Sequence, residues 1–181
     1  MPDLMLDTDN PALLSSPPFA GCRVATYADL VTPAMLTEYL GRLIVIDRGR
    51  GDPTNTATVA DIEPTLLTVA QGVAKIKQWN AEHRPFPTAY CDRNDWPAVD
   101  TALAGIAHHD WITTLDGTIL PNGQRPAVVQ AWGEAAIGFH ADLSIVWDTT
   151  WHPIRPAVDW ARVNQLASLG SQVVHVAQSL R

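Results

Sequence analysis

Two carboxylates separated by one residue, Asp61 and Glu63 in Val59-Ala-Asp-Ile-Glu-Pro64, have the types and spacing best suited to chemistry. The apolar run before them reads as a strand, and residues two apart on a strand leave the same face, with Cα atoms roughly 6.5 Å apart. Both can therefore reach one substrate. Pro64 ends the strand directly after the pair and so places it at the strand's C-terminal end. Glycoside hydrolysis needs such a pair, one acid kept protonated for the leaving oxygen and the other charged to stabilise positive charge on the sugar ring. The plainer account is two solvated acids opening a helix, where negative charge is favoured anyway.

The surrounding pattern suggests what holds the pair. From Cys22 onward, short apolar runs alternate with longer amphipathic stretches, the rhythm of βα units around a parallel sheet. Strands are expected at Arg23–Tyr27, Leu43–Asp47, Ala57–Ile62, Pro87–Cys91, Trp111–Leu115, Ala127–Trp132 and Leu143–Trp147, about seven in all. The spacing of Leu66, Val69, Val73, Ile76 and Trp79 predicts a helix from about Thr65 to Glu82, and a second starts near Asn94-Asp95 with Pro97 in its first turn. This order fits a barrel or an open doubly wound sheet. No glycine fingerprint of the dinucleotide or P-loop kind follows the first strand, which favours the barrel and calls for no nucleotide cofactor. The expected fold is thus α/β, a reduced or incomplete (β/α) TIM-like barrel over residues 22–155, with an extended N-terminal arm at 1–21. Residues 156–181 read as a C-terminal helix, in which Val163, Leu166, Gly170, Val173, Ala177 and Leu180 form a heptad-like seam. That helix either packs back on the barrel or joins copies and partners through 157–181.

Four stretches resemble, in order and spacing, the family 25 glycoside hydrolases, the Chalaropsis-type lysozymes, above all the short barrels encoded by actinobacteria and their phages. They are Val59-Ala-Asp-Ile-Glu63, Pro87-Thr-Ala-Tyr-Cys91, Trp111-Ile-Thr-Thr114, and Val128-Val-Gln-Ala-Trp132 followed by Ala141-Asp-Leu-Ser144. The resemblance implies muramidase chemistry on peptidoglycan, with Glu63 as general acid and Asp61 assisting the substrate's own acetamido group. It also implies catalytic weight for Asp142, the late-strand aspartate, and substrate contacts for Asp47, Tyr90, Trp111, Gln130 and Trp132. The chain departs from the family in two places. Arg48 to Ile62 is too short for a complete βα unit, so one unit is expected to be missing. The family's first-strand aspartate has no clean equivalent, since Asp29 lies late in Val24-Ala-Thr-Tyr-Ala-Asp29.

Bulk properties narrow the partners. The 181 residues are 46% hydrophobic, enough for one domain with a sizeable core. A net charge of −7 and the lack of any Lys/Arg run disfavour nucleic acid. The acidic opening does not resemble a secretory signal, and no apolar run approaches the ~20 residues that span a bilayer, so synthesis in the cytoplasm and no membrane partner are expected. Cys22 and Cys91 read as ordinary thiols, Arg50-Gly-Asp52 as a plain loop, and His108-His109-Asp110 as a solvated helix end without a metal. Trp147, Trp151 and Trp160 are expected to pack the C-terminal helix. Two functions are expected from these features: a peptidoglycan-directed, lysozyme-like barrel of phage origin, or a non-catalytic virion protein, a capsid or tail component built on such a barrel. The partners are accordingly peptidoglycan glycan or virion proteins.

Overall fold

Short apolar runs pair with their neighbours in chain order, each buried on both faces as strands of a covered parallel sheet are. The computed structural model describes residues 3–15, 22–118, 126–138, 140–148 and 150–152. Among them, eight strands close into a barrel: β1 (Asp3–Asp7), β2 (Arg23–Tyr27), β3 (Leu43–Asp47), β4 (Val59–Ile62), β5 (Thr88–Asp92), β6 (His109–Thr113), β7 (Val128–Trp132) and β8 (Asp142–Val146). From β1 to β7 each neighbouring pair is parallel. The last strand, β8, runs antiparallel to both β7 and β1 and closes the barrel.

Two expectations need correction. There are eight strands rather than about seven, and the extra one lies in the segment expected to be an extended arm. Asp3-Leu-Met-Leu-Asp7 is apolar through its centre, and strand geometry sends Leu4 and Leu6 to the outer layer while Met5 enters the barrel. The βα unit expected to be missing leaves no gap: eight strands close the barrel, which is neither reduced nor, with β8 antiparallel, of the all-parallel TIM kind, while β3 and β4 are joined by a loop that Asp52 organises. Its Oδ1 accepts from Thr56 N (3.1 Å) and its Oδ2 from Ala57 N (2.9 Å), so the carboxylate of the Arg-Gly-Asp tripeptide is engaged within the loop. The expected C-terminal helix and Trp160 lie outside the described residues.

The helices are set by local chemistry. In α1 (Pro33–Glu38), Thr32 caps Met35 N and Pro33 fills the first position, where no N–H is needed. Thr68 and Gln71 form a reciprocal capping box at the start of α2 (Val69–Ala81), which buries Gly72, Ile76 and Trp79. Gly72 allows a close approach, since a Cβ there would lie 2.4 Å from Ile62 Cγ1 on β4. Helix α3 (Trp96–Ala102) carries Pro97 in its first turn, and α4 (Glu134–Ile137) stops at Gly138 in the left-handed conformation, φ 73°. No helix among the described residues is long and apolar enough to cross a membrane.

Two apolar clusters result, one between the strands and the outer elements and one inside the barrel around Met5, Ile44, Val59, Trp111 and Val146. The N-terminal end of the parallel strands is plugged by Trp151, whose Nε1 donates to Thr88 Oγ1 (2.8 Å) and whose ring meets Trp111 edge-on at 6.1 Å. Arg23, buried among these side chains, donates to the Trp151 carbonyl (2.6 Å), the His152 carbonyl (2.7 Å) and Asp3 Oδ2 (3.1 Å). Trp151 is therefore an interior plug. The acceptor its indole N–H needs is supplied inside the barrel by Thr88.

Candidate active site at the mouth of the barrel

At the opposite end, the parallel strands terminate in acids. Asp61 is the last inward-facing residue of β4, and Glu63 follows just beyond the strand. The final residue of β1, Asp7, pairs directly with Asp142, the first residue of antiparallel β8. Four carboxylates from three strands thus gather at the face where barrel enzymes place their chemistry.

Burial sets the protonation of this cluster. Asp61 is 1% exposed, and desolvation followed by repulsion from Glu63 pushes its pKa up to about 8, with Arg48 and a hydrogen bond from Tyr27 opposing the rise. Asp7 is raised well above the carboxylate range by desolvation, then by Asp142 and Asp61. Glu63, half-buried, is raised by desolvation and by Asp92 and Asp95. Desolvation takes Asp142 up to about 6 against the hydrogen bond it receives from Glu134 N (2.9 Å). The mouth therefore holds protons at neutral pH that solvated acids release.

Around the acids lies a band of polar side chains. Gln130 Nε2 donates to Asp142 Oδ2 (2.6 Å), which fixes the amide. Gln130 Oε1, Asp7 Oδ1, Asp61 Oδ1, Thr113 Oγ1 and Ser144 Oγ are buried and find no hydrogen-bond partner among the described residues. Such atoms are costly to bury unmatched, and they present donors and acceptors of the kind a polyhydroxylated ligand requires. Arg48 is held by two hydrogen bonds to Asp29 (2.9 and 2.7 Å) and lies over the Tyr27 ring, 4.1 Å from its centroid. This arrangement buttresses the phenol that meets Asp61. Beside Glu63, a cavity of about 230 Å³ is lined by Ile62, Pro64, Leu67, Thr68 and Asp95.

The structure brings together Asp61, Glu63, Asp142 and Gln130, and adds Tyr90 in register with Asp61. It separates the others. Asp47 points to the outer face, where its Oδ2 pairs with Lys75 of α2 (2.5 Å) and its Oδ1 accepts from Gly49 N (2.7 Å). Trp111 is fully buried inside the barrel, edge-on to Tyr90 at 5.1 Å, and forms the floor beneath the mouth. Trp132, 2% exposed, follows a register shift in β7 and packs with the outer cluster. Sequence reasoning missed Asp7, the last residue of β1, and missed Tyr27 and Arg48. Asp3-Leu-Met-Leu-Asp7 is apolar at its three central positions and carries no alternation that would mark Asp7 from the sequence. A different side-chain set approaches metal-ligand geometry: Asp100, His108 and Asp110, away from the mouth. Searches against protein-family models, curated proteins and solved structures return no match to the chain.

Proposed function

We propose that this chain is a glycoside hydrolase-like barrel of the muramidase type, directed at peptidoglycan glycan. The observation that carries this reading is the convergence of Asp7, Asp61, Glu63 and Asp142 at the C-terminal mouth, with protons retained by burial and mutual repulsion. Glu63, the more exposed of the central pair, is placed to donate a proton to the leaving glycosidic oxygen. Asp61 beside it assists the substrate's acetamido group. Positive charge developing on the sugar favours the ionised form of Asp61 just when it is needed, so a high pKa in the free barrel is compatible with that role. The four stretches that resemble family 25 glycoside hydrolases support the same reading.

One observation favours a second reading. Trp111 and Trp132, expected to stack on sugar rings, are interior packing, and Asp61 is 1% exposed. A non-catalytic virion component built on such a barrel keeps the acids without needing a groove. The experiment is release of reducing ends from purified peptidoglycan. Wild type should act and Glu63→Gln should lose at least a hundredfold in rate while unfolding at the same urea concentration. Equal inertness of the two proteins would sink the enzyme reading and leave the structural one.

A further inference from the structure

His108 and Asp110 flank the first residue of β6, so their side chains share one side of the strand while His109 takes the other. Helix α3 brings Asp100 to the same place: one ligand atom from each of Asp100, His108 and Asp110 lies within 4.8 Å of the other two. The His108 ring is oriented by its own chain, because Nδ1 lies 2.7 Å from the Ile106 carbonyl. A carbonyl can only accept, so Nδ1 carries the hydrogen and Nε2 of the neutral ring is a free lone pair.

That lone pair faces a carboxylate oxygen. Nε2 is 3.4 Å from Asp110 Oδ1, and this oxygen is buried and accepts no hydrogen bond among the described residues. When the ring is neutral two acceptors face each other, and either a proton on Nε2 or a metal ion relieves the contact. At 3.4 Å the contact is longer than the about 2.7–2.9 Å of a charge-assisted N–H···O bond. A metal ion fits well: two ligands at ~2.0–2.1 Å on tetrahedral zinc are separated by ~3.3 Å, close to the distance observed. His108 and Asp110 also line a cavity of about 300 Å³ with His109, Trp147 and Asp148, so the place is reachable.

We propose that His108, Asp110 and Asp100 form a binding site for a divalent transition-metal ion, with zinc as the ion matched best, on the outside of the barrel and away from the carboxylate mouth. One imidazole and two carboxylates make a three-ligand set that leaves a coordination position for water or for a ligand in the cavity. The second carboxylate, on an exposed position of α3, ties that helix to β6 when the metal is bound.

The test is calorimetric titration of the full chain, freed of metal by a chelator, with zinc, calcium and magnesium chlorides. Wild type should bind one zinc ion, and cobalt in the same site should give the visible absorption of a tetrahedral complex. Both His108→Ala and Asp100→Asn should weaken zinc binding at least tenfold. If His108→Ala does not fold, the exposed Asp100→Asn carries the comparison alone. Zinc binding that is absent, or equal in wild type and variants, overturns the proposal, as does calcium binding as tightly as zinc, which a plain acidic surface would give. None of these outcomes depends on glycan cleavage.

Discussion

Asp7 and Asp142 lie directly opposite each other across the antiparallel β1–β8 seam, so two carboxylates from distant parts of the chain leave the same face at the same height. Opposed residues in an antiparallel pair hold their side chains about 4.5–5.5 Å apart at Cβ, and like charges there repel. Desolvation adds to the repulsion, and both acids are raised in pKa. Such an arrangement disfavours the ionised fold and is typical of a site kept for something other than stability.

Asp7→Asn should therefore stabilise the protein at pH 7, by on the order of 1 kcal/mol, since the amide keeps the shape and avoids the cost of holding in the fold a proton that the unfolded carboxylate releases. Glycan cleavage should fall at least tenfold in the same variant. Urea unfolding and reducing-end release measure the two effects. A variant that is less stable at pH 7 than wild type would show that the Asp7 carboxylate is compensated by a partner.

Asp47 makes the opposite case. Its carboxylate joins Lys75 of α2 to the end of β3 on the outer face of the barrel. Asp47→Ala should lower stability by about 1–3 kcal/mol through the loss of a buried acceptor set, with the rate of glycan cleavage unchanged in the folded protein. A selective rise in KM would return Asp47 to the groove.

Packing behind the central pair gives a third expectation. An alanine normally stabilises a helix interior over glycine by about 1 kcal/mol. At Gly72 the added Cβ would meet Ile62 Cγ1 at 2.4 Å and Cδ1 at 2.5 Å, so overpacking of about 1–3 kcal/mol should outweigh that gain. Ile62 sits between Asp61 and Glu63, so the push is felt at the mouth. Combining Gly72→Ala with Ile62→Ala should destabilise less than the sum of the two single changes, as a double-mutant cycle by urea unfolding would reveal.

How much of this was legible in the sequence follows from where each signal lived. The Asp61–Glu63 pair was readable because strand periodicity and Pro64 are local. β1 was not, because three apolar residues between two acids mark a strand only when their partners, Arg23–Ala25 and Asp142–Val146, are known. The direction of Asp47 was hidden for another reason: Leu43-Ile-Val-Ile is apolar on both faces, and a doubly buried strand carries no parity. Trp111 and Trp132 share that ambiguity, since an aromatic in a barrel strand fills the interior as readily as it lines a groove. The link between Asp100 and Asp110 is tertiary, made by the packing of α3 on the sheet, and no spacing announces it.

Asp61 yields the sharpest prediction about pH. An unfolded aspartate has its pKa near 3.8, whereas folded Asp61 lies at about 8. Between those values the folded state holds a proton that the unfolded state has released, so stability is fully present below the unfolded pKa and is lost as pH rises through the folded one. His152, buried and lowered from 6.5 to about 4, works in the other direction below pH 6.5, because the unfolded chain there takes up a proton that the fold refuses. The window from pH 6.5 to 8 is free of that opposition. Across it, stability should fall as pH rises, with a slope of up to about 1.4 kcal/mol per pH unit for one proton. Asp61→Asn should reduce this slope and leave the part that Asp7 contributes in the same direction, while His152→Phe should leave it unchanged and alter the profile only at lower pH. Urea midpoints at pH 6.5, 7, 7.5 and 8 for the three proteins provide the measurement. A wild-type midpoint that rises across the window, or equal slopes with and without Asp61, would mean that Asp61 ionises freely and that the mouth is open to water.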